Sequence, residues 1–363
     1  MEFGIALPTP ADAWRTVARA EELGFASAWF YDTQLLSADI FVGMAAAAVK
    51  TRRIRLSTGV IIPSNRIAPV TANALASLNQ LAPGRIDFGV GTGYTGRRTM
   101  GLPAMRLGDM ATYIRQVYGL LAEETVTCTF EDHERKVRFL QPERGLINTR
   151  DPIPLYISAF GPRARRLTAK LGGGWINFFR TDEQVRADMA DWRAACAEAG
   201  HAAGNSAGSG NDTIAGTPDA TLFALGCVLA PGEDAASPRA KAQAGPIVAS
   251  ALHRIVEDGL PLAQVPDDMR ESARALAEHY RGYEPPDARY LSLHRGHLTF
   301  LRPEEEPLMT AEMLSRRTLT ATPDALRDKI RGLAEAGYDR LVVQIVPGQE
   351  TALEQWAEVF GGV

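Results

Sequence analysis

Cysteine is scarce: Cys128, Cys196 and Cys227 stand far apart in a chain of 363 residues. Their spacing fits neither a disulfide framework nor a zinc motif, and a reducing compartment is the simplest home for them. An excess of positive charge is also lacking, since 39 Lys and Arg face 43 Asp and Glu for a net charge of −4. The electrostatic footprint expected of a nucleic-acid binder is therefore missing. No apolar run reaches the roughly 18 residues that would suggest a membrane span, and residues 1–10 lack the basic and apolar regions of a secretory leader. The expectation is a cytoplasmic protein with neither membrane nor nucleic-acid partners. What remains is an ordinary globular balance, 45% apolar and 23% charged. Its length suits one α/β barrel with insertions, an architecture that fills roughly 200 to 400 residues.

Short apolar runs alternate with helical patterns along the chain. Strands are expected at 3–7, 27–31, 54–62, 86–91, 155–159, 175–179, 221–230 and 341–346. Each is nearly continuous in apolar residues, as in a sheet covered by helices on its outer face. The intervening helices include one capped by Thr9 with Pro10 at its first position and ended by Gly24. Others are expected at 39–50, 69–81, 106–122, 163–171 and 182–199, and a last one starts at Thr322-Pro323 and ends at Gly337. Two stretches interrupt this rhythm: a hairpin insertion at 123–153 and a helical insertion at 231–320, long enough for a lid. Gly, Ala, Ser and Asn dominate 200–217, a composition that predicts a mobile loop. Eight strand-helix units predict a (β/α)8 TIM barrel.

Several motifs have competing readings. GTGYTG at 91–96 follows a strand and fits G-x-G-x-x-G, but Gly101 and Pro103 delay the next helix and no acidic residue follows at the dinucleotide spacing. A barrel-mouth loop whose backbone approaches a cofactor, or glycines that only turn the chain, fit better. GNSAG at 204–208 matches a nucleophile elbow but sits in the small-residue loop rather than between a strand and a helix. His294 and His297 have a metal-like spacing but no Cys or carboxylate partner nearby in sequence, and are expected to be surface histidines. At 158–164, a strand runs into Phe160-Gly161 and a helix opens with Pro162 and Arg163. Free amides at such a start, with Arg163, could hold an anion; Arg163, Arg166 and Lys170 equally make a solvated basic face.

The order and spacing of FGIALP at 3–8, AEELGF at 20–25 with Trp29, LSTGVIIP at 56–63, PGRIDFGVGTG at 83–93, LPAMRL at 102–107 and PLYISAFGP at 154–162 resembles the bacterial luciferase-like flavin-dependent oxidoreductases, on the branch near methylenetetrahydromethanopterin reductases. The resemblance covers nearly the whole chain. It implies a barrel binding FMN or the 5-deazaflavin coenzyme at the strand C-termini. By that similarity Thr58, Gly59 and Val60 lie at the flavin face, with a non-proline cis peptide between the last two. Gly91, Thr92 and Gly93 approach the cofactor, and Ser158, Ala159, Phe160, Gly161, Pro162 and Arg163 hold its phosphate. Where luciferase-type members carry histidines, this chain has Asp32-Thr33 and Asn65-Arg66, so their acid-base assignments do not transfer.

The activity so implied is a two-component monooxygenase, in which a separate flavin reductase supplies reduced FMN and O2 oxygenates a small apolar or aromatic substrate, with the insertion excluding water. A deazaflavin-dependent hydride-transfer enzyme and a flavin-binding protein without turnover are the alternatives. Asp32 is the candidate for proton handling or substrate orientation, or else a helix cap. Tyr31, Tyr94, Phe178 and Phe179 are candidates for an aromatic substrate wall, or else barrel packing. A homodimer is expected through the second and third helices, where Ala45 to Ala48 and Ala72, Ala74 and Ala76 would allow close approach.

Overall fold

A computed structural model of the chain describes residues 1–201, 214 and 218–363. Eight parallel strands close into a barrel: β1 (Glu2–Leu7), β2 (Ser27–Phe30), β3 (Arg55–Thr58), β4 (Ile86–Val90), β7 (Leu155–Ser158), β8 (Gly174–Phe178), β9 (Ala220–Ala224) and β10 (Arg340–Gln344). The antiparallel pair β5 (Val126–Phe130) and β6 (His133–Val137) forms a hairpin between β4 and β7, where the sequence pattern places one. Helices α1 (Trp14–Glu22), α2 (Ile40–Lys50), α3 (Ala68–Leu81), α5 (Leu107–Leu121), α6 (Pro162–Leu171), α7 (Asp182–Glu198), α12 (Pro323–Ala336) and α13 (Ala352–Gly361) flank the barrel. A short α4 (Tyr94–Arg98) follows β4, and the chain between β9 and α12 carries α8 (Pro238–Glu257), α9 (Asp267–Arg281), α10 (Tyr290–Leu293) and α11 (Ala311–Arg317). No described helix is long and apolar enough to cross a membrane.

Alternation along each strand sorts its side chains into two cores. Residues facing outward, such as Ile5, Leu56, Phe88, Leu155 and Leu341, join the apolar faces of the surrounding helices. Inward residues Ala6, Trp29, Tyr156, Ile176, Phe223 and Val342 plug the barrel, with Trp29 edge-on to Tyr156 and Phe223 at 5.1 and 5.3 Å between centroids. Below this plug, at the N-terminal end, polar groups pair with one another. Arg55 grips the buried Asp87, which also accepts from Ser57 at 2.7 Å, and Tyr156 donates to Asp219 at 3.1 Å.

The elements differ from the sequence pattern in a few places, each for a local reason. Thr9 does not cap α1: its hydroxyl donates to the Tyr31 carbonyl at 2.8 Å, and a turn at 11–13 delays the helix to Trp14. Asp39, by contrast, caps α2 by accepting from the Phe41 and Val42 amides. The apolar run expected as a strand to 230 leaves the barrel after Ala224. There it pairs with 319–321 instead, and a Cβ at Gly226 would lie 2.0 Å from the Leu319 carbonyl oxygen. The Gly204 to Gly208 motif and most of the 200–217 loop lie outside the described residues. All three cysteines are unpaired and buried.

Candidate active site

The C-terminal mouth opens into a cavity of about 500 Å³, within the range of small-molecule and cofactor sites. Its floor is the end of β3 and the loops after β3 and β4. Thr58 spends its hydroxyl inside the sheet, donating to the Gly89 carbonyl at 2.7 Å and accepting from the Gly89 amide at 2.8 Å, and so positions the turn rather than facing the cavity. The next peptide, Gly59–Val60, is cis, and both residues line the cavity with Gly91, Thr92 and Gly93. Gly91 leaves a cradle there: a Cβ would come within 2.8 Å of Val60 and 3.3 Å of Ser158. Gly93 holds φ +80 beside Ile62 and starts α4, a conformation for which glycine is the undemanding choice.

Across the floor, Ser158 and Phe160 line the cavity, whereas Ala159, Gly161, Pro162 and Arg163 do not. Ala159 is fully buried and Arg163 is exposed. The 158–163 turn is instead fastened by Arg165, which sequence reasoning missed. Its guanidinium donates to the Phe160 carbonyl at 2.8 Å and pairs with Asp188 and Asp191. Arg166 points elsewhere, to Glu198 at 3.2 Å, so it is not part of one anion-facing surface with Arg163. The α6 N-terminus has no side-chain cap, and Pro162 at its first position has no N–H, so the first amide it offers an anion is that of Arg163.

Asp32 borders the cavity but its acceptors are engaged. Both oxygens lie 2.9 Å from Arg66, and one also accepts from the Ile62 amide at 3.2 Å and Asn65 at 3.3 Å. It is therefore no helix cap; it ties the loop after β3 to the end of β2. The aromatic candidates divide. Tyr31 lies over the barrel plug and donates to Gln344 at 2.9 Å. Phe178 belongs to the same interior cluster, whereas Phe179 packs between sheet and helices under Lys329. Tyr94 has Arg98 over its ring at 4.5 Å and a buried hydroxyl with no partner; burial raises its pKa, so it stays a hydrogen-bond donor. All four line the cavity.

The roof and the basic lining come from residues that no motif announced. Ile247, Val248 and Ala251 of α8 and Leu298 after α10 add apolar lining, and Arg98, Arg180, Arg254 and Arg317 line the cavity as well. Each arginine has acidic neighbours: Arg98 pairs with Glu257 and Asp258, Arg180 with Asp188, Arg254 with Asp258 and Arg317 with Asp268. Arg180 follows Phe178-Phe179 at a strand end and was legible in principle. Arg254 and Arg317 lie on helices of the insertion, where sequence offers no hint of which face meets the barrel. His294 and His297 are also not on the surface, being 1% and 5% exposed. They turn inward against His253, and His297 lines the cavity.

The sequence profile of luciferase-like monooxygenases matches residues 2–340. An F420-dependent glucose-6-phosphate dehydrogenase of Beutenbergia cavernae is 36% identical over 141 residues, 37% of this chain and 40% of the relative. The chain spans about half the length of the curated relatives it matches. Among solved structures, the coenzyme F420 dependent tetrahydromethanopterin reductase of Methanopyrus kandleri superimposes with a TM-score of 0.67 at 21% identity, covering 98% of this chain and 97% of that one. The oxygenating constituent of the Pseudomonas putida 3,6-diketocamphane monooxygenase, in complex with FMN, gives 0.61 at 15%, covering 99% and 95%. At such identities these two likenesses speak for the fold alone.

Proposed function

Because the chain belongs to the luciferase-like monooxygenase family, we propose that it is an oxidoreductase that takes the 5-deazaflavin coenzyme and passes hydride between it and a small organic substrate. The observation that carries this reading is the cavity itself, with a glycine-lined floor and four arginines in its lining. A deazaflavin has a longer anionic tail than FMN, and these arginines, though each pairs with a carboxylate, offer it further N–H donors, such as the unpartnered Nε of Arg180. The F420-dependent relative supports the same choice, against the FMN monooxygenase that the sequence led us to expect.

Bound there, the coenzyme would supply hydride donation or acceptance at its ring, and the chain supplies the setting. Gly59, Gly91 and Gly93 keep the floor under the ring low, with Val60 and Thr92 beside them. Ser158, Phe160 and the free Arg163 amide at the α6 N-terminus meet the phosphate. Thr58, Ala159, Gly161 and Pro162 shape those turns from behind. Asp32, locked to Arg66, orients the floor loop. Tyr31, Phe178, Phe179 and the Tyr94 hydroxyl bound the substrate space, with Tyr94 able to donate to a substrate oxygen. Leu298 and α8 exclude water, which strengthens every polar contact inside.

A second reading, reduced FMN from a separate reductase acting with O2, is favoured by that same apolar roof. Titrating the protein with each cofactor by fluorescence, then following turnover with and without oxygen, decides between them. Tight deazaflavin binding and oxygen-independent turnover are expected. Preferential FMN binding with oxygen consumption would overturn the proposal. Three buried free thiols suit a reducing, cytoplasmic setting, and a homodimer is proposed below.

A further inference from the structure

Beside the cavity, the helical insertion buries three imidazoles against one another. His253 on α8 and His294 and His297 after α10 form a nearly equilateral triangle, with ring centroids 5.8, 5.8 and 5.6 Å apart. One ring nitrogen from each lies within 4.8 Å of the other two. Each ring is held from behind at Nε2 by an oxygen: His253 by Glu305, His294 by Glu257 at 3.2 Å, and His297 by the Thr95 hydroxyl at 2.9 Å. A carboxylate only accepts, so the first two rings carry a proton on Nε2 and, in the neutral form, present a lone pair at Nδ1. The Nδ1 atoms of all three are buried without a hydrogen-bond partner.

Three packed, buried imidazoles, each with an unpartnered Nδ1, cost free energy unless something satisfies those nitrogens. We propose that His253, His294 and His297 bind a divalent transition-metal ion of the zinc type through Nδ1, with Glu305, Glu257 and Thr95 orienting the rings. Imidazole is a favoured ligand for such ions, and a carboxylate behind a ligating histidine fixes its tautomer and raises its basicity. Tetrahedral zinc sets its nitrogen ligands about 3.4 Å apart, so small ring rotations within the observed separation complete the site. The supporting carboxylates are balanced in turn, Glu305 by Arg302 and Glu257 by Arg98, so the ion would not have to neutralise them.

The ion would join α8, the 294–297 turn and, through Thr95, the short α4 at the cavity mouth. It would pin the roof to the barrel. The spacing His294-x-x-His297 was visible in the sequence, but its third member lies 41 positions upstream on a different helix; Glu257 is 37 positions before His294, and Glu305, although close to the pair in sequence, holds His253 from 52 positions away.

The experiment uses the full chain, stripped of metal by a chelator. Zn2+ titration against a chromophoric competitor is expected to give about one ion per chain, and Co2+ to give the intense visible absorption of tetrahedral coordination. His253→Gln and His294→Gln should each weaken Zn2+ binding at least tenfold, and Glu305→Gln by about 10- to 100-fold. His279→Gln, at an exposed position on α9, should leave affinity unchanged. If a triad variant does not fold, the cobalt spectrum of the unaltered protein still decides. Failure of the stripped protein to take up Zn2+ at micromolar concentration, or uptake that His294→Gln leaves intact, would overturn the assignment.

Discussion

Arg66→Ala tests whether Asp32 fastens the cavity floor or carries a proton. The Asp32 side chain is 3% exposed and that of Arg66 17%. Removing the cation strands a buried carboxylate, which costs about 3 to 5 kcal/mol. The Ile62 amide and Asn65 still donate to it, so the loss should fall near the lower end. Asp32→Asn is milder, because Asn keeps an acceptor for the Ile62 amide and Arg66 retains Asp39 at 2.6 Å. Its cost should be that of a charged hydrogen bond, about 1.5 to 3 kcal/mol. The double variant should cost less than the sum, since the two residues share one interaction. Guanidinium unfolding reads these values, and a cofactor titration reads the floor. A fastener predicts that both single variants weaken cofactor binding together while the pH profile of turnover keeps its shape. The reasoning fails if Arg66→Ala costs less than about 1 kcal/mol, as an exposed pair would. It fails equally if Asp32→Asn abolishes turnover with stability and cofactor affinity intact.

Three further outcomes are expected. Gly91→Ala places a methyl 2.8 Å from Val60, an overpacking of about 1 to 3 kcal/mol, and should weaken cofactor binding more than tenfold by fluorescence titration; unchanged affinity would remove Gly91 from the floor. Burial pushes the Asp219 carboxyl from 3.8 up to about 6 although Arg340 opposes the shift. The folded state then holds this proton more tightly than the unfolded chain, so stability falls as pH rises from about 4 to 6, by up to about 3 kcal/mol. Asp219→Asn should flatten that segment in urea unfolding at stepped pH, and an unaltered slope would refute the assignment. The alanines expected at a dimer interface mostly face inward, Ala47, Ala48, Ala72 and Ala76 being buried, but Val42, Val49, Ile67 and Val70 on and beside α2 and α3 are 51 to 61% exposed. Such an apolar patch fits self-association, so light scattering should give a dimer that Val42→Asp with Val70→Asp converts to monomer; a monomeric parent would dismiss it.

The barrel was legible because each strand is a short apolar run between helix signals, and Gly24 and Gly337 follow α1 and α12 with positive φ, where the sequence ends those helices. Short helices were not: α4 spans Tyr94–Arg98 and α11 Ala311–Arg317, lengths too small for a 3.6-residue period to declare itself. Within the site, residues that sit at strand ends were found from sequence: Asp32, Gly59, Gly91, Ser158 and Phe178 all line the cavity. Those that arrive from the insertion, Arg254, Arg317 and His253, were not, because their place depends on how helices far along the chain fold back over the mouth. Arg165 was passed over for Arg163 because periodicity alone cannot tell which side of α6 meets Asp188.

The three buried thiols give the molecule an internal clock. Cys128 is the buried residue of β5 in the hairpin, Cys196 lies on α7 against the outer core, and Cys227 in a small cluster with Leu229 and Ala240 where the insertion leaves the barrel. Burial raises the thiol pKa at each, to about 11 for Cys196 and Cys227, so none reacts until its surroundings open. The rate at which a thiol reagent modifies each one therefore times the opening of a different layer. The hairpin, the helical shell and the seam of the roof can be timed separately in the unaltered chain.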